Sequence, residues 1–220
     1  SGSYQTNLTG HLNIKIPNQN PANFSGEFTA TELFLRNGSV EMAINKPIGL
    51  SAKNGTITAE NFEIVGDNTY IRLKSTVQPA QELGLTLDGR LDLSLISLLT
   101  PFLDDLKGLL KFSFSLDGKY SNPKLSGSAF LENSLIKIKG FPHSLEQITA
   151  DVIFNNETIV INAAKGKIGG GQFNGNGRIE ARTIGEVPID IKGNFYDAKF
   201  NVPEGFNTRG SGDFFVRGAW

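Results

Sequence analysis

Residues 145–161 read Leu145-Glu-Gln-Ile148-Thr-Ala150-Asp-Val152-Ile-Phe154-Asn-Asn-Glu-Thr158-Ile-Val-Ile161. Ile148, Ala150, Val152 and Phe154 recur at every second position, and Thr149 and Asp151 stand between them. That period belongs to a half-buried strand, because successive side chains of a strand leave opposite faces. Asn155-Asn156 then interrupts the run. Asn tolerates the positive φ of a tight hairpin turn, and Thr158 to Ile161 begins a further strand.

The same reading extends along the chain. Leu83-Gly-Leu85-Thr-Leu87 places three Leu on one face, and Phe112-Ser-Phe114-Ser-Leu116 does so with two Phe and a Leu. Val187-Pro-Ile189-Asp-Ile191 is a further case. Asn37-Gly38, Asn54-Gly55 and Asp117-Gly118 fall between alternating segments as turn signals. Strands with one apolar and one polar face belong mostly to antiparallel sheets. The spacing predicts about a dozen strands.

One segment departs from this period. From Ser94 to Leu110 the apolar residues are Leu95, Leu98, Leu99, Phe102, Leu103, Leu106, Leu109 and Leu110, the spacing of an amphipathic helix. Thr100-Pro101 divides it, with Thr100 as the cap of a second helix and Pro101 at its first position. Asp104 and Asp105 would favour that helix's N-terminus, and Gly108 would stop it. The expectation is two short helical turns, or one kinked helix, against a sheet.

Composition bounds the chemistry. The 220 residues include 21 basic and 22 acidic ones, a formal charge of −1, which excludes binding to nucleic acid by bulk charge. With no Cys there is no disulfide, thiolate chemistry or Cys-ligated metal, and with only His11 and His143 a His-rich metal site is not expected either. No cofactor is implied. Gly (25) and Phe (16) are high while Trp and Met occur once each, a balance that favours strands and turns over helices. The apolar-rich stretch from Leu93 to Leu103 is far shorter than the ~18–20 residues of a bilayer-spanning helix. Ser1-Gly2-Ser3 reads as a cloning remnant and is kept out of the fold argument.

No motif carries catalysis. Ile168-Gly169-Gly170-Gly171-Gln172-Phe173 lacks the following helix and the Gly-Lys-Ser/Thr ending of a phosphate cradle, so a turn, bulge or close backbone approach is expected. Asp88, Asp92, Asp104, Asp105 and Glu186 are tied by no spacing that would make an acid–base pair, and solvated positions or helix ends suit them. No Gly-x-Ser-x-Gly elbow is present, and His143 falls in a turn, Phe141-Pro142-His143-Ser144. Asn-x-Ser/Thr sequons at Asn7, Asn23, Asn37, Asn54 and Asn156 are what an Asn-, Ser- and Thr-rich chain produces by chance. The protein is not expected to be an enzyme. Phe, spread from Phe24 to Phe215, fits either a two-sheet sandwich core or a single curved sheet whose apolar face lines a groove, and alternation does not separate the two.

A longer pattern runs from Lys119 to Ala181. It opens as Gly118-Lys-Tyr-Ser-Asn122-Pro123-Lys-Leu125-Ser-Gly127-Ser-Ala-Phe-Leu131. Ile136-Lys-Ile138-Lys-Gly-Phe-Pro142, Leu145 to Phe154, Thr158 to Ile161 and Gly166-Lys-Ile168-Gly-Gly-Gly171-Gln-Phe-Asn-Gly175 follow in order. This resembles the repeat of the TamB family, the inner subunit of the translocation and assembly module, and more distantly the AsmA-like proteins. The family pattern is "G-x-x-x-N-P-x-L-x-G-x-L-x-L", then "G-x-P", then "I-x-G-x-I-x-F", then "G-G-G-x-L-x-x-x-G". Ala150 stands where the family often has Gly. Leu91 to Gly108 looks like the family's helical insertion, and Phe200-Asn-Val-Pro203-Glu-Gly205 to Gly218 looks like its closing segment. The resemblance covers most of residues 47–218.

What the resemblance implies is an all-β fold, a long curled antiparallel sheet (a β-taco) with an apolar concave groove and one short helical insertion near residues 94–110. Residues 4–220 would be one elongated segment of a longer periplasmic protein, anchored in the inner membrane of a didermic bacterium. The implied function is to bind phospholipid acyl chains in the groove, for transport between the inner and outer membranes and in support of outer-membrane assembly beside an Omp85-type barrel. The alternative is a chaperone-like platform for outer-membrane protein or autotransporter strands, through sheet-edge pairing. Alternation then selects the groove residues: Leu85, Leu87, Phe112, Phe114, Leu116, Ile136, Ile138, Ile148, Val152, Phe154, Ile159, Ile161, Phe173, Ile179, Ile189 and Ile191.

Overall fold

A computed structural model of the chain describes residues 4–16, 25–53, 56–60, 62–75, 82–119, 122–180, 188–201 and 207–219. They form fifteen strands: Tyr4–Lys15 (β1), Ser25–Asn37 (β2), Val40–Ile44 (β3), Ile48–Lys53 (β4), Thr56–Glu60 (β5), Glu63–Gly66 (β6), Thr69–Ser75 (β7), Glu82–Asp92 (β8), Leu103–Lys119 (β9), Asn122–Ile138 (β10), Leu145–Asn155 (β11), Thr158–Ile168 (β12), Gly171–Glu180 (β13), Pro188–Asn201 (β14) and Asn207–Ala219 (β15). All fifteen belong to one sheet, antiparallel and not closed into a barrel. Its order is β15-β14-β13-β12-β11-β10-β9-β8-β7-β6-β3-β2-β4-β5, with β1 paired to β2. Among the described residues the ladders thus join into one sheet and not into two separate ones.

Two compact units divide the chain. One comprises Ser1–Leu95 with Phe112–Gly127, the other Ile96–Lys111 with Ser128–Trp220. In the first unit β2 forks. β1 runs along one side of it from Tyr4↔Asn37 to Lys15↔Ser25. The other side is shared, with β3 beside Phe34–Asn37 and β4 beside Ser25–Ala30. In the second unit β11 to β15 form a plain meander, each strand paired with the next.

Burial is shallow. Fully buried apolar residues are Ala30, Ile48, Ile64, Leu91, Leu93 and Leu95 in the first unit, and Leu106, Ala129, Ile148, Ala150 and Ala198 in the second. No Phe among the described residues is fully buried.

The turns follow their residues. Gly38 (φ 62°) and Asn156 (φ 53°) open two-residue hairpin loops, as their sequences predict. Gly169 (φ 56°) and Gly170 (φ 79°) form another between Ile168 and Gly171. Positive φ at both central positions is the turn whose twist matches a hairpin. The Gly169 carbonyl accepts a hydrogen bond from the Lys199 amide at 3.0 Å, and a Cβ on Gly169 would overlap the Lys199 backbone. The triple glycine is therefore both a turn and a close backbone approach, with strand β13 following it. Asn54-Gly55 lies outside the described residues.

Three expectations are corrected. Asp117-Gly118 is not a hairpin turn, since β9 continues to Lys119. The strands number fifteen, because short strands such as β5 and β6 carry too few residues for a clear period. The helical insertion over 94–110 is confined to one seven-residue 3-10 helix, Leu93–Leu99. Asp92 caps it, its Oδ1 accepting from the Ser94 amide at 3.0 Å and the Ser94 hydroxyl at 2.7 Å. Thr100 ends this helix rather than starting a second: its amide and its hydroxyl both donate to the Ser97 carbonyl. From Leu103 onward the chain is strand, and Gly108 (φ 114°) sits inside β9 against Ser134, where a Cβ would meet Ser134 Cα at 2.5 Å. The misreading arises because Leu106, Leu110, Phe112, Phe114 and Leu116 obey period two only if Gly108 is counted as an apolar position.

Candidate functional site

Directly opposed residues of an antiparallel ladder share a face. In the second unit the registers therefore assemble rows across β11 to β15. One row is Phe154–Ile159–Ile179–Ile189–Gly218 and the next is Val152–Ile161–Gly177–Ile191–Val216. Ala150–Ala164–Gly175–Gly193–Phe214 and Gly166–Phe173–Phe195–Gly212 follow. Leu145–Ile168–Gly171 closes the set. No charged or polar side chain enters these rows.

The glycines in the rows have a packing reason. A Cβ on Gly193 would come within 2.5 Å of Phe214 Cζ, and one on Gly166 within 2.8 Å of Phe173 Cε1. A Cβ on Gly212 would meet the Phe195 ring at 3.2 Å, and one on Gly177 would meet Ile191 Cγ1 at 2.8 Å. The rings thus lie down over glycines of the neighbouring strand instead of standing off the sheet. Each of these rings covers backbone that has no side chain of its own. At one end Phe195 meets Phe200 edge to face at 5.0 Å, and Phe200 meets His143 at 5.5 Å. His143 Nε2 accepts from the Asn201 amide at 3.2 Å, so this histidine joins the bend before β11 to the end of β14.

The opposite face of the same strands is mostly polar. Lys165–Asn174–Asn194–Asp213 form one row, and Val160–Arg178–Asp190–Arg217 another. Asn174 Nδ2 donates to Asn194 Oδ1 at 3.5 Å, and Arg217 pairs with Asp190 at 3.4 Å. A concavity of about 670 Å³ opens on this polar side, among Asp151, Lys165, Asn174, Asn194 and Asp213. It is not lined by the residues that alternation selected.

The first unit repeats the division. Leu73 is opposite Leu87, Ser75 opposite Leu85 and Ile71 opposite Gly89. The Phe112 ring lies where a Gly89 Cβ would be, at 2.9 Å, and stacks on Phe114 with centroids 5.5 Å apart. Phe114 in turn covers Gly127 at 2.8 Å. Across the sheet, Arg72 pairs with Glu63 at 2.8 Å and Lys74 with Asp88 at 3.8 Å. The hydrogen bond and the charge of Glu63 hold the Arg72 pKa above its ordinary value.

The sequence-selected residues can now be placed. Val152, Phe154, Ile159, Ile161, Phe173, Ile179, Ile189 and Ile191 share the apolar face of the second unit, with buried Ile148 in the same period on β11. Leu85, Leu87, Phe112 and Phe114 share that of the first unit, and Leu116 follows half-buried on β9. Ile136 is half-buried and Ile138 exposed on β10. Sequence reasoning missed Phe195, Phe214, Ile168, Ile71 and Leu73. The signal for the first two was present: Ile191, Gly193 and Phe195 keep one period, as do Gly212, Phe214 and Val216, once glycine counts as an apolar position.

The carboxylates are dispersed. Asp88 faces Lys74, Asp92 caps the 3-10 helix and Asp105 pairs with Lys107 at 2.7 Å. Asp104 is exposed and Glu186 lies outside the described residues. Among the described residues no three metal-ligating side chains cluster, and no helix is long and apolar enough to cross a membrane. Comparison of the chain with protein-family models, with curated proteins and with solved structures returns no match.

Proposed function

We propose that this chain is a TamB-like periplasmic segment that binds phospholipid acyl chains along its apolar sheet face. The observation that carries the reading is the set of apolar rows across β11 to β15, whose Ile and Phe side chains are not fully buried. An apolar face of this kind marks a partner or ligand site. A tail of about 16 carbons lying half-covered on such a face gains about 6 kcal/mol, at ~0.8 kcal/mol per fully buried CH₂. The contact is non-directional, so it selects tails as a class and leaves the head group in water. The curled sheet and concave groove of the TamB family belong to this proposal, as do inner-membrane anchoring of a parent protein and service to an Omp85-type barrel.

The test is native mass spectrometry of the protein gently purified from a bacterial host, with lipid extraction of the same sample. Phospholipid should accompany the wild-type chain. Val152→Arg puts a charge into one of these rows, on β11, and should lower phospholipid retention at least tenfold, with unchanged far-UV circular dichroism. A lipid-free protein that also takes up no added phospholipid would overturn the reading.

A further inference from the structure

Three strands end the described sheet, and they are defended unequally. β5 has only five residues. β15 is long but carries Arg209, Asp213 and Arg217, and charges on an edge discourage pairing. β1 has twelve residues, no Pro and one charged side chain, Lys15. β2 covers one side of it throughout; among the described residues no strand pairs with the other. Leu8, Leu12 and Ile14 are 58%, 67% and 53% exposed. A long, nearly uncharged, alternating edge with open apolar side chains is a template for a further strand.

We infer that β1 pairs antiparallel with β1 of a second copy, about a two-fold axis through Gly10, so that the apolar face of the first unit continues from one copy into the other. The sequence of β1 complements itself. Opposed residues share a face, so the two residue numbers of each pair must sum to an even value; an odd sum would set Leu8 against a polar position. A sum of 20 gives the longest such overlap that also opposes leucine with leucine. It puts Leu8 against Leu12 of the second copy, Thr6 against Ile14 and Gly10 against Gly10. On the other face Asn7 meets Asn13, Thr9 meets His11 and Gln5 meets Lys15. No like charges meet, and the two lysines lie at opposite ends of about 35 Å of ladder. A two-fold contact of this kind closes on itself, so the assembly stops at a dimer.

Sedimentation velocity of the chain from about 1 to about 100 µM, a range suited to a modest interface, should show a concentration-dependent dimer. The double variant Thr9→Lys with His11→Lys changes two exposed side chains. It sets lysine against lysine twice in the dimer, and should stay monomeric throughout with an unchanged circular dichroism spectrum. The natural chain has no Cys, so Thr9→Cys with His11→Cys gives a clean cross-link: mild oxidation should convert that variant, and neither single variant, to a covalent dimer. A wild-type chain monomeric at every concentration, or a dimer that survives both lysines, would overturn the inference. So would a monomer whose β1 amides are protected from hydrogen exchange only by an added alternating peptide of unrelated sequence, which would assign the edge to another protein's strand.

Discussion

The flat rings make a ranking of glycine substitutions predictable. Gly210, Gly212 and Gly193 lie on β15 and β14, none with a positive φ. A Cβ on Gly210 meets nothing within 4 Å. Gly210→Ala should therefore stabilise the protein by about 0.4–1 kcal/mol, through the reduced entropy of the unfolded chain. A Cβ on Gly212 meets only the Phe195 ring, at 3.2, 3.5 and 4.0 Å. The ring must give by a few tenths of an ångström, which takes back the entropic gain and leaves Gly212→Ala about 0.5 kcal/mol below wild type. A Cβ on Gly193 overlaps the Asn174 carbonyl oxygen as well as the Phe214 ring. Backbone cannot swing aside, so Gly193→Ala should cost about 2–3 kcal/mol. Urea unfolding followed by far-UV circular dichroism gives the ranking. The decisive measurement is a double-mutant cycle: with Phe195→Leu in the background, Gly212→Ala should become as favourable as Gly210→Ala, a coupling of about 1–1.5 kcal/mol. Equal stabilities for Gly193→Ala and Gly210→Ala, or a Gly212 effect indifferent to Phe195, would refute the account of rings lying on glycine.

Other sites offer separate checks. Asp92→Ala removes the acceptor for two donors of Ser94 and should cost about 1 kcal/mol, read from the same unfolding curves. Gly108→Ala combines φ 114° with overlap on Ser134 and should lower stability by more than about 2 kcal/mol. Asn156→Gly relieves a positive φ in the β11–β12 loop, at the expense of a more flexible unfolded chain, and should shift stability by less than about 0.5 kcal/mol. Arg36→Ala breaks an exposed pair with Glu41 and should alter stability by under about 1 kcal/mol, with the shift declining as salt is added.

Alternation made the strands legible, and in the clearest segments it also made the faces legible. Ile148 to Phe154 and Ile189 to Ile191 stand where period two puts them. What it concealed has one physical origin. Glycine scores as neutral, yet in this sheet it occupies apolar positions beneath a neighbour's ring. Gly108 broke the β9 pattern and left an apparent helix; Gly193 and Gly212 hid Phe195 and Phe214. The register that brings Phe214 over Gly193 depends on hairpin lengths and on the shift between Phe195 and Ala198, neither of which alternation encodes. The two-sheet alternative could not be dismissed from the sequence because a sandwich strand and an open-sheet strand share the same period.

The order of the strands bears on how such a chain is made. From β6 to β15 each strand lies beside its successor in sequence, and β2 gathers β1, β3 and β4 from within the first fifty-three residues. Nearly every ladder is thus local, and local pairing needs little loop closure before it is rewarded. A chain emerging residue by residue, from a ribosome or through a membrane pore, can lay down each strand on the edge left by the one before. Few strands wait exposed for a partner not yet made. The same order lets whole hairpins be added or removed without rethreading, so length is the property this architecture can change most easily.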